Sequence, residues 1–118
     1  MNAVMTAPMN GHTDFTVMGA GNGGKAMAAH LALMGARVTL YNRTFDHISA
    51  IHQRGGIDLE SYDGGPRGFG RLACVTADMG EAVGQSRVIM VVTPSSAHAE
   101  IAASAAPHLR DGQVVVLH

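Results

Sequence analysis

The sequence predicts a three-layer α/β domain, a doubly wound and mainly parallel sheet with helices on both faces. Three observations predict it. From Asp14 onward, short β-branched apolar runs alternate with stretches of helical spacing. The first apolar run passes through a glycine-dense turn straight into a helical pattern. The chain of 118 residues, 47% hydrophobic and 14% charged, also has the size and composition of one domain with its own core.

The elements follow in order. FTVMG (15–19) is a first strand ending in glycine, and GGKAMAAHLALMG (23–35) a helix with Met27, Leu31 and Met34 at helical spacing and Gly35 closing it. ARVTLYNR (36–43) is the second strand. TFDHISAIHQRGG (44–56) is a helix with Thr44 as N-cap, Asp46 in its first turn and Ile48 and Ile51 facing the core. IDLES (57–61) and GRLACVTAD (70–78) read as strands around the turn-rich YDGGPRGF, a hairpin-like excursion.

MGEAVGQS, with two glycines, supports a short helix at best. RVIMVVT (87–93) has the continuous apolar character of a strand buried on both faces of a parallel sheet. SSAHAEIAASAAPHL (95–109) sets Ala97, Ile101, Ala105 and Leu109 on one helical stripe, which Pro107 ends a turn early. QVVVLH (113–118) reads as one more buried strand. A domain rarely stops on a strand, so the sequence is expected to belong to a longer protein. Its last strand would then expose apolar surface, and the isolated chain would self-associate as a homo-oligomer.

Composition removes several function classes. A net charge of −1 and a pI near 6.6 give no electrostatic case for nucleic acid or an anionic membrane. No apolar stretch approaches the length of a membrane span, and the opening MNAVMTAPMNGHT, residues 1–13, lacks the charge and apolar segment of a signal peptide. It reads as a flexible tail. The lone cysteine, Cys74, lies in an apolar run as a small hydrophobe and suits a reducing cytoplasm.

The seven histidines form no evident metal set. His47 and His52 are five apart, off the spacing at which two imidazoles on a helix share a metal, and His98 and Glu100 point to different sides of theirs. His30 reads as a surface residue. Lys25, at a helix N-terminus, is either a phosphate contact or a solvated side chain.

The glycine-dense turn carries the chemistry. Gly19, Gly21 and Gly24 fall on G-x-G-x-x-G between a strand and a helix, in a βαβ unit of the dinucleotide-binding, Rossmann type. Gly19 permits the turn, Gly21 admits a pyrophosphate, and Gly24 lets helix and strand pack closely. The N–H groups near Asn22 and Gly23 point at the phosphates with the helix dipole behind them.

At the end of the second strand, an NAD site usually carries an acid for the ribose 2′-OH. Here Asn42, Arg43 and Thr44 stand instead. A guanidinium there pairs a 2′-phosphate bidentately, which leans the site towards NADP over NAD. The other reading of Arg43 is a rim charge that stacks on adenine and accepts either cofactor. Thr93 and Pro94, after the fourth strand of the main series, are expected to line the groove near ribose and nicotinamide.

The segments GAGNGGKAMAAHLALMGARVTLYNR, GGIDL, VTAD and VIMVVTPSSAHAEIAASAAPHLRDGQVVVL together resemble the cofactor domain of the octopine/nopaline (opine) dehydrogenase family. More loosely, they are similar to the N-terminal domains of glycerol-3-phosphate dehydrogenase and ketopantoate reductase. The resemblance implies NAD(P)H-dependent reductive condensation of an amino acid with a 2-oxo acid. It also implies that the catalytic histidine and the small-molecule substrate contacts belong to a C-terminal helical domain absent from these residues. Residues 14–118 are then the cofactor domain, with no catalytic residue of their own. The alternatives are a glycerol-3-phosphate dehydrogenase- or ketopantoate reductase-like enzyme, or a stand-alone dinucleotide-binding module.

Overall fold

The computed structural model describes residues 13–61 and 63–118, so the expected tail, apart from Thr13, lies outside the described residues. Five strands form one parallel sheet: β1 (Asp14–Met18), β2 (Arg37–Tyr41), β5 (Cys74–Thr76), β6 (Val88–Val91) and β7 (Val114–Leu117). Their spatial order is β5-β2-β1-β6-β7. The chain thus builds outward from β1 in one direction, returns to its other side at β6, and builds outward again. The crevice at such a reversal, beyond the carboxyl ends of β1 and β6, is where open α/β sheets receive ligands.

Helix α1 (Asn22–Leu33) and the short α2 (Ser49–Arg54) lie against one face, and α3 (Met79–Gly84) and α4 (His98–Ala105) against the other. Alternation along the strands sorts the core into two layers. Val17, Val38 and Leu40 pack with Ala28, Ile48 and Leu72 beneath α1. Met18, Tyr41, Ile89 and Val91 pack with Met79, Ala82, Val83, Ile101 and Ala105 beneath α3 and α4. Thr16, fully buried in β1, satisfies its hydroxyl through the Ala82 carbonyl and the Ser86 hydroxyl, each at 2.9 Å.

Helix ends follow local chemistry. After α1, Gly35 N–H donates to the Ala32 carbonyl and Ala36 N–H to that of Leu31, both at 3.0 Å, a Schellman closure with Gly35 in the left-handed region. The Asp78 carboxylate caps α3 by accepting the Glu81 N–H at 3.0 Å. Thr44 precedes its helix as expected, but its hydroxyl makes no capping bond. The segment it opens is a 3-10 turn (Phe45–His47) followed by six residues of α-helix, shorter than the apolar pattern suggests. The segment at 95–109 is likewise divided: α4 is flanked by 3-10 turns, the second containing Pro107.

Two expectations are corrected. The run at 70–78 is not one strand. Its first part is β4 (Gly68–Arg71), which forms a separate antiparallel hairpin with β3 (Gly56–Leu59). The hairpin lies on α1, so close that a Cβ on Gly70 would stand 2.8 Å from the Ala29 carbonyl oxygen. At Leu72 and Ala73 the backbone bonds change partner, from Gly55 to Val38, and β5 joins the main sheet beside β2.

The second correction concerns β7: it is not a buried strand but is exposed along its whole length, Val114 at 52% and Leu117 at 59%, in agreement with the apolar exposure expected of the last strand. Its apolar side chains qualify it for burial, but it is the outermost strand and only β6 pairs with it.

Candidate functional site

The turn from β1 into α1 is held from three directions. Gly19 N–H donates to the Tyr41 carbonyl of β2 at 2.9 Å, and Val92 N–H donates to the Met18 carbonyl at 2.8 Å. Ala20 N–H donates to Asn42 Oδ1 at 3.1 Å, while Asn42 Nδ2 donates to the Thr44 carbonyl at 3.0 Å. Asn42 therefore ties the turn to the loop after β2, a positioning role for which its amide, both donor and acceptor, is needed.

The three glycines of the motif differ in what surrounds them. At Gly19, with φ +114°, an added Cβ would meet the Val92 carbonyl oxygen at 2.4 Å. At Gly24 it would meet the Gly19 carbonyl oxygen at 1.7 Å, a collision of backbone with backbone. At Gly21 it would meet nothing within 4 Å. No atom of the described residues explains a missing side chain there, whereas a ligand lying against the backbone would.

Helix α1 starts beside that open space without a side-chain cap. Its first internal bond runs from Lys25 N–H to the Gly21 carbonyl at 2.9 Å, so the N–H groups of Asn22, Gly23 and Gly24 precede the helical ladder. Gly21, Asn22 and Gly23 are exposed. Donors in that position, with the positive end of a helix of 12 residues behind them, suit an anion and specifically a diphosphate. The residues present fit a dinucleotide.

Across the crevice, Thr93 follows β6, with its methyl group 2.9 Å from the position a Gly19 Cβ would take. Its hydroxyl is buried and lacks a partner among the described residues, which a buried oxygen tolerates poorly unless a ligand or water supplies one. Pro94 is exposed and leads into the 3-10 turn at Ser95–Ala97. All ten residues singled out in the sequence, Gly19, Gly21, Asn22, Gly23, Gly24, Asn42, Arg43, Thr44, Thr93 and Pro94, lie at the carboxyl ends of β1, β2 and β6.

Sequence reasoning missed Glu100. From the first turn of α4 its carboxylate forms an ion pair with the Arg43 guanidinium, so that Arg43 already has a partner at the rim. The two are 57 residues apart, and only the placement of β6 next to β1 brings them together. Beneath the pair, burial lifts the Tyr41 phenol above its ordinary value; the Arg43 charge opposes this, and Asp78 and Glu100 add to it. Cys74 is half-buried, and burial, with Glu81 beside it, pushes its thiol up against the opposing charge of Arg37.

Comparisons with known proteins agree with the fold. Residues 14–118 match the family model described as NAD-dependent glycerol-3-phosphate dehydrogenase N-terminus. The chain is 38% identical over 104 residues to an opine dehydrogenase of Arthrobacter sp. (strain 1C), covering 88% of this chain and 28% of that protein. It is 33% identical over 108 residues to a glycerol-3-phosphate dehydrogenase [NAD(P)+] of Afipia carboxidovorans, covering 86% of this chain and 30% of that one. It therefore spans less than a third of the length of these relatives.

Among solved structures, octopine dehydrogenase in complex with NADH and agmatine superposes with a TM-score of 0.73 at 21% identity, over 89% of this chain and 28% of that one. An imine reductase from Pseudomonas sp. does so at 0.64 and 22%, over 89% and 31%. At these identities the likeness is one of fold. No helix among the described residues is long and apolar enough to cross a membrane.

Proposed function

The chain belongs to the family described as the NAD-dependent glycerol-3-phosphate dehydrogenase N-terminus, and on that premise we propose that it is the NAD(P)H-holding domain of an opine dehydrogenase-like oxidoreductase. The reaction would be the reductive condensation of an amino acid with a 2-oxo acid, in which the C=N bond formed with loss of water is reduced to CH–NH; the corresponding reduction of a C=O bond gives CH–OH. The identity to an opine dehydrogenase over most of the chain supports this reading. The family description itself favours the second reading, a glycerol-3-phosphate dehydrogenase-like enzyme.

One observation carries the proposal: the space beside Gly21, empty of atoms of the described residues, between two glycines at which a Cβ would collide with backbone. The N–H groups of Asn22, Gly23 and Gly24 hold the diphosphate there. Asn42 fixes the turn that presents them, and Thr44 shapes the loop after β2. Arg43 meets the adenosine ribose, where bidentate pairing to a 2′-phosphate favours NADPH over NADH. Thr93 offers its unpaired hydroxyl near the nicotinamide end, and Pro94 shapes the loop beside it. The bound dinucleotide supplies a hydride, and the chain's own part is to bind, orient and shield.

Residues 14–118 form the cofactor domain in this proposal. The acid/base group and the small-molecule substrate site come from a further domain. Titration of NADH and NADPH into the purified chain, followed by nucleotide fluorescence without tryptophan interference, tests it. Saturable binding is expected; no binding of either nucleotide overturns it.

A further inference from the structure

The Arg43–Glu100 pair spans the rim between the loop after β2 and the start of α4, above a recess of about 280 Å³ lined by Tyr41, Met79, Ile101 and Ser104. Its side chains are 74% and 60% exposed, so the pair contributes little to stability. Its consequence lies in ligand choice. We propose that Glu100 is a specificity-determining residue that sets the margin between NADPH and NADH, an inference that rests on the dinucleotide reading above.

The argument is one of charge. A 2′-phosphate carries roughly two negative charges. Glu100 holds Arg43 through Nη1 alone, so a 2′-phosphate can pair with the remaining N–H groups of the guanidinium, but it must then stand close to the Glu100 carboxylate or displace it. A 2′-hydroxyl demands none of this. It is neutral, it leaves the ion pair in place, and the Glu100 carboxylate is available to accept its proton in a hydrogen bond. Arg43 alone would make the rim strongly selective for the phosphate. Arg43 with Glu100 has a summed charge of zero, and the selectivity shrinks to a small margin.

The acid that an NAD site usually carries at the end of the second strand is thus supplied from a helix on the other side of the switch point. It is invisible to a reading of the β2 end alone.

The test compares the chain with its Glu100→Gln variant, titrating each with NADPH, NADH and the fragment 2′,5′-ADP. Glu100→Gln is expected to tighten NADPH and 2′,5′-ADP about tenfold and to leave NADH unchanged or weaken it by less than threefold, tenfold being about 1.4 kcal/mol. In roughly 0.5 M NaCl the gap between the variant and the parent should narrow, because exposed charges are then screened within a few ångströms. A parent that binds both dinucleotides, with a variant whose NADPH/NADH ratio is unchanged, overturns this inference and leaves the dinucleotide site standing. A parent that binds neither overturns both.

Discussion

Gly24 and Gly19 are in backbone contact: a Cβ on Gly24 would lie 1.7 Å from the Gly19 carbonyl oxygen. Neither partner of that collision is a flexible side chain, so relief requires α1 to move off β1. Gly24→Ala should therefore cost about 3 kcal/mol or more, at the upper end of overpacking. Urea unfolding of the variant measures it; a loss below about 1 kcal/mol would mean that α1 shifts freely.

Gly21→Ala is the contrasting case. The backbone there has φ −74° and the added methyl meets open space. Stability is expected to stay within about 0.5 kcal/mol of the parent. Affinity for NADH and NADPH should fall at least tenfold, because the methyl occupies the place proposed for the diphosphate. Unfolding and nucleotide titration on the same sample separate the two effects, and a variant that binds as the parent does would refute the pyrophosphate role.

Arg43→Ala should weaken NADPH by about tenfold and NADH by less than threefold, on the scale of one charge-assisted pair at an exposed rim. The loss for NADPH has two sources: the bonds to the 2′-phosphate disappear, and Glu100 is left unpaired beside it. Unfolding should be little changed, since the Arg43 side chain is 74% exposed. Equal losses for the two nucleotides would leave Arg43 as an adenine-stacking residue only.

Cys74 gives a pH-dependent prediction. Burial, then the Glu81 charge, raises its thiol in the folded chain, with Arg37 opposing. Between the unfolded and folded values the folded chain holds the proton more tightly, so the contribution is intact below the unfolded value of about 8.5 and is lost as pH rises through the folded one. Alkylation of Cys74 by iodoacetamide at pH 8 should be slower than that of a free thiol, and Tm should fall from pH 8.5 to 10 more steeply than in Cys74→Ser. Alkylation at the free-thiol rate would contradict the shift.

The glycine turn from β1 into α1 was legible in the sequence because most of its constraints are local. Gly24 answers to the Gly19 carbonyl within one strand-turn-helix unit and Gly19 to its own positive φ, whereas the crowding of Gly19 by Val92 comes from a distant segment; the spacing of Met27 and Leu31 locates the helix that follows. Asn42, Arg43 and Thr44 were legible as a loop at a strand end. Their actual partners were not, since Asn42 reaches Ala20, 22 residues away, and Arg43 reaches Glu100.

The sequence alone therefore determined the alternation of strands and helices and the position of the glycine turn between β1 and α1, because periodicity and backbone conformation act over a few residues. Only the tertiary structure decided that residues 70–78 divide between a hairpin and the main sheet, and that Arg43 carries a counter-charge. Each of these depends on which strand stands beside which, and strand order is settled by packing between segments far apart in the chain.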